Sequence, residues 1–389
     1  MTYRVAIVGA GPSGFYAADG LLRAISADGL DLHIDLIDRL PTPFGLVRAG
    51  VAPDHQGTKA VARQFDKILA HEDVRFCGNV EVGRDVEWDE LREHYDAVIV
   101  ATGRTIDRRL GVPGDELPHV WGSWRFVAWL NGHPDFRAGP DLSHVRKVAV
   151  IGNGNVALDV TRVLAKSAEE MARSDIVPEA GAAIAAAPLA DIHVIGRRGP
   201  EQASFTNNEM AEMGRLARAV AVADAAALSV APPASDSTPE RLRKGKNLEI
   251  LKGFAANRPG SKPITVHFEF NKPTQAIAAD AFDLVITCIG YDGEAFPSGD
   301  GIFAVGWARR GPTGTIPTNR ADSHAVAQQV VAWLKERDPK SGTDIIPECV
   351  DAAGWHRIDK AEVAAGAATG RPRVKLTDRV RLLAVAQGD

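Results

Sequence analysis

The stretch Tyr3–Tyr16, YRVAIVGAGPSGFY, constrains the fold of this chain more than any other. An apolar run with β-branched residues, Tyr3–Val8, stops at Gly9, and Gly9, Gly11 and Gly14 then fall in the spacing G-x-G-x-x-G. Phe15–Leu22 continues as an alanine-rich helical segment. Strand, glycine turn and helix start come in the order that a dinucleotide pyrophosphate requires. The first glycine makes the turn, the second lets backbone approach phosphate, and the third lets helix pack on strand. Free amides and the dipole at the helix start attract the anion. Glycine turns also close helices for structural reasons alone; the strand before this one and the helix after it favour nucleotide binding.

A length of 389 residues suffices for two or three domains with their own cores. With 45% hydrophobic and 24% charged residues, the composition is that of an ordinary globular protein. A net charge of −5 is too mild to point to nucleic acid or a membrane surface. Cys77, Cys288 and Cys349 lie far apart and form no C-x-x-C. That argues against a redox-active disulfide, a zinc ribbon and a resident iron–sulfur cluster, and no metal site is expected. Structural thiols of a reducing cytoplasm are the reading adopted. No apolar run is long enough to span a bilayer. The N-terminus enters the first strand directly, so neither signal nor transit peptide is expected, and the expected location is cytoplasmic.

Leu32–Ile37 reads as a second strand ending at Asp38, 24 residues after Gly14. That is near the distance expected of the acid that holds a ribose 2′-hydroxyl. Leu40–Lys59, LPTPFGLVRAGVAPDHQGTK, has no clean period and reads as an ordered loop; His55 lies within it. Thr58–Leu69 resumes a helical pattern with Val61, Phe65, Ile68 and Leu69 on one face. Asp96–Gly103, DAVIVATG, reads as a buried parallel strand, and Asp283–Gly290, DLVITCIG, is a near copy of it.

Lys147–Ile151 is a further strand, running into Gly152-Asn153-Gly154-Asn155-Val156-Ala157, a second fingerprint in the G-x-G-x-x-A form. The strand after it, Asp191–Ile195, ends in Gly196-Arg197-Arg198 rather than in an acid. A carboxylate there would accept from a free ribose hydroxyl and repel a 2′-phosphate. Two arginines favour the phosphate through charge-assisted bonds, so this site should prefer NADP(H). Ala219–Glu240 reads as an exposed connection, and Arg241, Arg243, Lys244 and Lys246 follow as a local basic run. Ile302–Val305 is a short strand ending at Gly306-Trp307, and Gly311–Asn319 precedes a helical pattern over Ala321–Leu334. Two fingerprints about 140 residues apart ask for two ligands. The economical pairing is FAD at the first and NADPH at the second, with the hydride chemistry belonging to the cofactors.

Five stretches make the chain similar to the ferredoxin–NADP+ reductases of the adrenodoxin reductase type, among the glutathione-reductase-like flavoproteins. They are VAIVGAGPSGFYAA, LPTPFGLVRAGVAPDHQGTK, IGNGNVALDVTRVL, VIGRRGPEQASFTNNEMAEM and VGWARRGPTGTIPTN; the tail from Trp355 to Leu382 also matches. The resemblance implies an α/β chain of two Rossmann-like nucleotide-binding domains. A discontinuous FAD domain would span 1–106 and 290–389, with an NADP domain, 107–289, inserted. Gly9, Ala10, Gly11, Pro12, Ser13 and Gly14 would cradle the FAD pyrophosphate, Asp38 would take the adenosine ribose, and Leu46 would line the site. Gly306, Trp307, Gly314, Thr315 and Ile316 would hold the flavin ring. Gly152, Asn153, Gly154, Asn155 and Val156 would meet the NADP pyrophosphate. Arg197 and Arg198 would take the 2′-phosphate, with Glu209 also near the cofactor. His55 and Glu212 match the family pair that orients the nicotinamide, the catalytic candidates here.

The resemblance also implies that electrons pass to a ferredoxin-type iron–sulfur protein, steered by Arg241, Arg243, Lys244 and Lys246. A monomer is expected. The chain is short between about Met213 and Asp283, where part of the partner surface would lie. A diaphorase reducing quinones, or a flavin-bearing NADPH sensor, would use the same scaffold.

Overall fold

The computed structural model describes residues 2–314 and 316–389. In chain order the strands are β1 (Tyr3–Val8), β2 (Leu32–Asp38), β3 (Val74–Gly78), β4 (Ala97–Val100), β5 (Ile106–Asp107), β6 (Val120–Gly122) and β7 (Lys147–Ile151). There follow β8 (Asp191–Ile195), β9 (Ala219–Ala223), β10 (Ile264–Glu269), β11 (Leu284–Thr287), β12 (Tyr291–Asp292) and β13 (Ile302–Ala304). The chain divides into two compact units. The first holds residues 2–51, His55–Ile106 and Tyr291–Asp389; the second holds Ala52–Asp54 and Asp107–Gly290.

Unit 1 is built on a five-stranded sheet in the order β13-β4-β1-β2-β3, parallel throughout. β1 is central, in register with β2 from Tyr3↔Leu32 and with β4 from Val5↔Ala97. Val5–Val8 are all buried, as a parallel strand covered on both faces requires. The helix Pro12–Asp28 follows, started by a proline in its first turn and stopped by Gly29 in the left-handed region, whose amide bonds Ile25 O. It packs on the helix Ile316–Lys335. Gly20 is required at that crossing, since a Cβ there would lie 2.6 Å from the Ala327 Cβ. The tail joins the same core: Trp355, Ile358 and Leu382 cluster with Phe15, Phe44 and Phe65.

The tail also meets β3. Gly78 and Val350 exchange backbone hydrogen bonds of 2.8 and 2.9 Å, and the Cys77 and Cys349 thiols lie next to each other beside them. The Cys349 contact and burial push the Cys77 thiol up, while Cys349 is lowered by its partner. Two thiols 272 positions apart in sequence are thus neighbours in the fold.

Unit 2 has a six-stranded parallel sheet in the order β6-β11-β7-β8-β10-β9. Its main core gathers Val148 and Val150, Ile192 and Val194, Val266 and Phe268 with the helices packed on that face. Three expectations change. Ala219–Ala223 is no exposed connection: it is the edge strand β9, buried apart from Ala223, because its Ala–Val alternation gives a flat face for the helix Thr238–Ala255. The Leu40–Lys59 loop carries two helical turns, Leu46–Ala49 and Gln56–Lys59. The helix Ile316–Lys335 starts five residues before its apolar pattern.

Candidate functional sites

Both glycine fingerprints lie where strand order reverses. In unit 1, β1 has β2 on one side and β4 on the other; in unit 2, β7 lies between β8 and β11. Ligands of open α/β sheets bind at such switch points, beyond the carboxyl ends of the strands.

In unit 1 each glycine of the first fingerprint has its own steric reason. Gly9 has φ +113°, and a Cβ there would lie 2.5 Å from Ala101 O. A Cβ on Gly14 would lie 2.0 Å from Gly9 O, so the helix can approach the strand only without one. Gly11 differs: a Cβ there would meet nothing nearer than Gly45 Cα at 4.0 Å, which leaves the approach to the turn open. The helix starting at Pro12 has no side-chain cap and no acid in its first turn. Uncapped amides behind an unobstructed glycine suit a diphosphate. The PTPFGLVR segment folds over this turn, with Phe44 N bonding Ala10 O at 2.7 Å. Behind it the buried Glu362 carboxylate accepts from Arg48 Nη1 at 2.8 Å, Arg373 Nη1 at 3.2 Å and Leu376 N at 2.9 Å. Burial raises the Glu362 carboxyl, but Arg48, Arg373 and the Leu376 amide together outweigh it and the net shift is downward.

Asp38 ends β2 and accepts from Ala10 N at 2.8 Å and Leu40 N at 2.9 Å. One bond to each oxygen leaves both with a second lone pair for a sugar hydroxyl. Gly306, at φ +59°, is pressed on the same turn: a Cβ would lie 1.9 Å from Ser13 Oγ. Trp307 donates Nε1–H to Thr313 O at 3.1 Å, accepts from Arg104 Nε at 2.9 Å through its carbonyl and stacks on Tyr291. Gly314 precedes and Ile316 opens the helix Ile316–Lys335; Thr315 lies outside the described residues. Leu46 heads the turn Leu46–Ala49, and His55 precedes the turn Gln56–Lys59.

In unit 2, Gly152 has φ +149° and a Cβ there would lie 2.3 Å from Cys288 O. Gly154 opens the helix Asn155–Ala165, again without a side-chain cap. Asn155 Oδ1 accepts from Thr206 N at 2.9 Å, while Asn153 Oδ1 is buried with no partner, a polar atom left over at the turn. Arg197 and Arg198 leave β8 exposed, and none of the described ion pairs uses either guanidinium. The loop carrying them is pinned through backbone alone: Gly196 N bonds Glu269 O at 2.8 Å, and Asn271 N bonds Arg198 O at 3.1 Å.

Sequence reasoning missed the network behind Glu209 and Glu212. Arg162, fully buried, donates Nε–H and Nη2–H to Asp54 at 2.7 and 3.0 Å, and Nη1–H to Asp159 at 2.7 Å and Glu209 at 2.8 Å. Lys166 bridges Asp54 and Glu212 at 2.7 and 2.8 Å. Burial pushes the Asp54 carboxyl up, but Arg162 and Lys166 hold it well below the usual carboxylate range. The signal was present: Asp159, Arg162 and Lys166 recur at helical spacing in an otherwise apolar fingerprint helix. The basic run also divides. Arg243 bonds Phe205 O at 2.5 Å and Lys244 bonds Asp236 at 2.7 Å, whereas Arg241 and Lys246 are exposed.

Two glycine turns of this kind, each at the switch point of a parallel sheet, define an oxidoreductase fold for two dinucleotides. A model of the pyridine nucleotide-disulphide oxidoreductases matches residues 3–193. NADPH-ferredoxin reductase FprA of Mycobacterium tuberculosis is 36% identical over 464 aligned positions, covering 99% of each chain. The mitochondrial NADPH:adrenodoxin oxidoreductase of Arabidopsis thaliana is 32% identical over 98% of this chain and 95% of its own. The structure of Mycobacterium tuberculosis FprA in complex with NADPH superposes with a TM-score of 0.90 at 34% identity, covering all of both chains. The chain belongs to the ferredoxin–NADP+ reductases of the adrenodoxin reductase type.

Proposed function

We propose that this chain is an NADPH-dependent flavoprotein reductase that passes electrons from NADPH through FAD to a ferredoxin-type iron–sulfur protein. The observation that carries the reading is the asymmetry of the two turns. The strand after the first ends in a carboxylate, Asp38, and the strand after the second ends in two exposed arginines. A carboxylate takes a free ribose hydroxyl and arginines take a 2′-phosphate, so FAD belongs to unit 1 and NADP(H) to unit 2. The relatives carry matching names, NADPH-ferredoxin reductase and NADPH:adrenodoxin oxidoreductase.

Gly9–Gly14, Asp38, Leu46, Gly306, Trp307 and Gly314–Ile316 are assigned to FAD. Gly152–Val156, Arg197, Arg198 and Glu209 are assigned to NADP(H). When bound, the nicotinamide supplies a hydride and the flavin divides its electron pair into single electrons. The chain's own part is to hold charge and orientation. The turn amides would hold the diphosphates and the arginines the 2′-phosphate, and His55 and Glu212 would orient the nicotinamide. Lys166 and Arg162 fix the Glu212 and Glu209 carboxylates for that role.

Anaerobic stopped-flow mixing of the flavin-loaded protein with NADPH should bleach the flavin bands, and NADH should do so far more slowly; absent bleaching overturns the reductase reading. Arg241 and Lys246 are the members of the basic run left to steer an acidic ferredoxin. Changing both to glutamate should lower the rate of ferredoxin reduction and its salt dependence while sparing reduction of a small dye. Equal losses in both assays would remove the docking role.

A further inference from the structure

The dinucleotide reading leaves a polar patch on the unit 2 sheet without a task. β8 and β10 alternate strictly. Ile192, Val194, Val266 and Phe268 enter the core, while Asp191, His193, His267 and Glu269 stand on the opposite face. A parallel sheet normally carries aliphatic residues on both faces, so four polar residues here are not a packing requirement. The register sets His193 directly beside His267, and the two imidazoles stack with centroids 4.5 Å apart. His267 Nε2 lies 2.8 Å from Asp191 Oδ1, and donor atoms of Asp191, His193 and His267 all fall within 4.8 Å of one another. All three side chains are partly accessible.

We propose that Asp191, His193 and His267 form a binding site for a divalent transition-metal ion of the zinc class. Two imidazoles and a carboxylate are borderline donors that suit zinc and not calcium or magnesium. His193 Nδ1 already bonds Glu269 Oε1 at 2.7 Å, which orients the ring and leaves Nε2 for the ion, the carboxylate–histidine–metal arrangement. Lys272 in turn holds the other Glu269 oxygen at 2.7 Å. Donors on a tetrahedral zinc lie about 3.3 Å apart, so the set closes when the His267 ring rotates out of its stack on His193, whose own ring Glu269 holds. The ion replaces the proton between His267 Nε2 and Asp191, and solvent fills the fourth position. It bridges adjacent strands just before β8 delivers Gly196-Arg197-Arg198.

The test uses the flavin-loaded protein, freed of metal with a chelator and then titrated with Zn2+ by equilibrium dialysis and with Co2+ by visible difference spectroscopy. The expected result is one Zn2+ per chain and cobalt d–d bands of a nitrogen–oxygen site. The double variant H193A/H267A should lose both, while NADPH still bleaches its flavin, a readout that needs unit 2 folded as well as unit 1. Glu269→Gln, which keeps all three ligands, should weaken Zn2+ by about ten- to a hundredfold. No Zn2+ uptake by the wild-type protein, or equal uptake by the folded double variant, overturns the proposal.

Discussion

Arg162 shows how one side chain can fix several others. It is fully buried, yet its guanidinium is shared among Asp54, Asp159 and Glu209. Removing one member of such a buried set leaves the others uncompensated, at a cost of about 3 to 5 kcal/mol. Arg162→Ala is therefore expected to lower stability by that amount in chemical denaturation, and Arg162→Lys to recover little, because an ammonium cannot reproduce the fork that grips Asp54. Arg197 and Arg198 are the opposite case, exposed and uncommitted. Charge-assisted bonds to a phosphate contribute about 1.5 to 3 kcal/mol, so converting both to alanine should raise KM for NADPH about ten- to a hundredfold. KM for NADH should stay unchanged; equal effects on the two would refute the 2′-phosphate assignment.

At the scale of elements, the strand–turn–helix units depend on glycines that nothing else can replace. A Cβ on Gly14 meets Gly9 O at 2.0 Å, backbone against backbone, so the helix must move away from β1 and its amides with it. Gly14→Ala should therefore purify with most of its flavin missing, read from the ratio of visible to protein absorbance. These units were legible in the sequence because their information is local: an apolar run, a glycine spacing, a helix start. The strand β9 was misread because its alanines carry a weak apolar signal, and its burial comes from the Thr238–Ala255 helix, which lies outside any short window. The Asp54–Arg162 bond, like the pairing of His193 with His267, joins residues far apart in the chain, and periodicity within one element carries no trace of a partner in another. Arg243 looked like surface charge for the same reason, since Phe205 O is reached only after folding.

For the whole molecule, acid sensitivity follows from buried carboxylates held by cations. Asp35 is fully buried and accepts from Arg75 Nε and from the Tyr95 hydroxyl, both at 2.6 Å. Burial raises its carboxyl, but His33, Arg75 and Tyr95 together depress it well below the usual range. A depressed native pKa contributes stability that is complete above the unfolded value, about 3.9, and is lost as pH falls toward the native one. The stability difference between wild type and Asp35→Asn should thus be constant from pH 7 to about 4 and shrink below it, as thermal melts across that range would show. The discontinuity of unit 1 has a further consequence, for synthesis. Trp355, Ile358 and Leu382 close the same core that Val5 and Phe15 begin. At about 5 to 20 residues per second, the ribosome needs about 5 to 20 s to deliver residues 291–389 once unit 2 has emerged. The nascent chain can finish its second nucleotide turn while the first still waits for the tail that covers it, so the turn made first is the last to be completed.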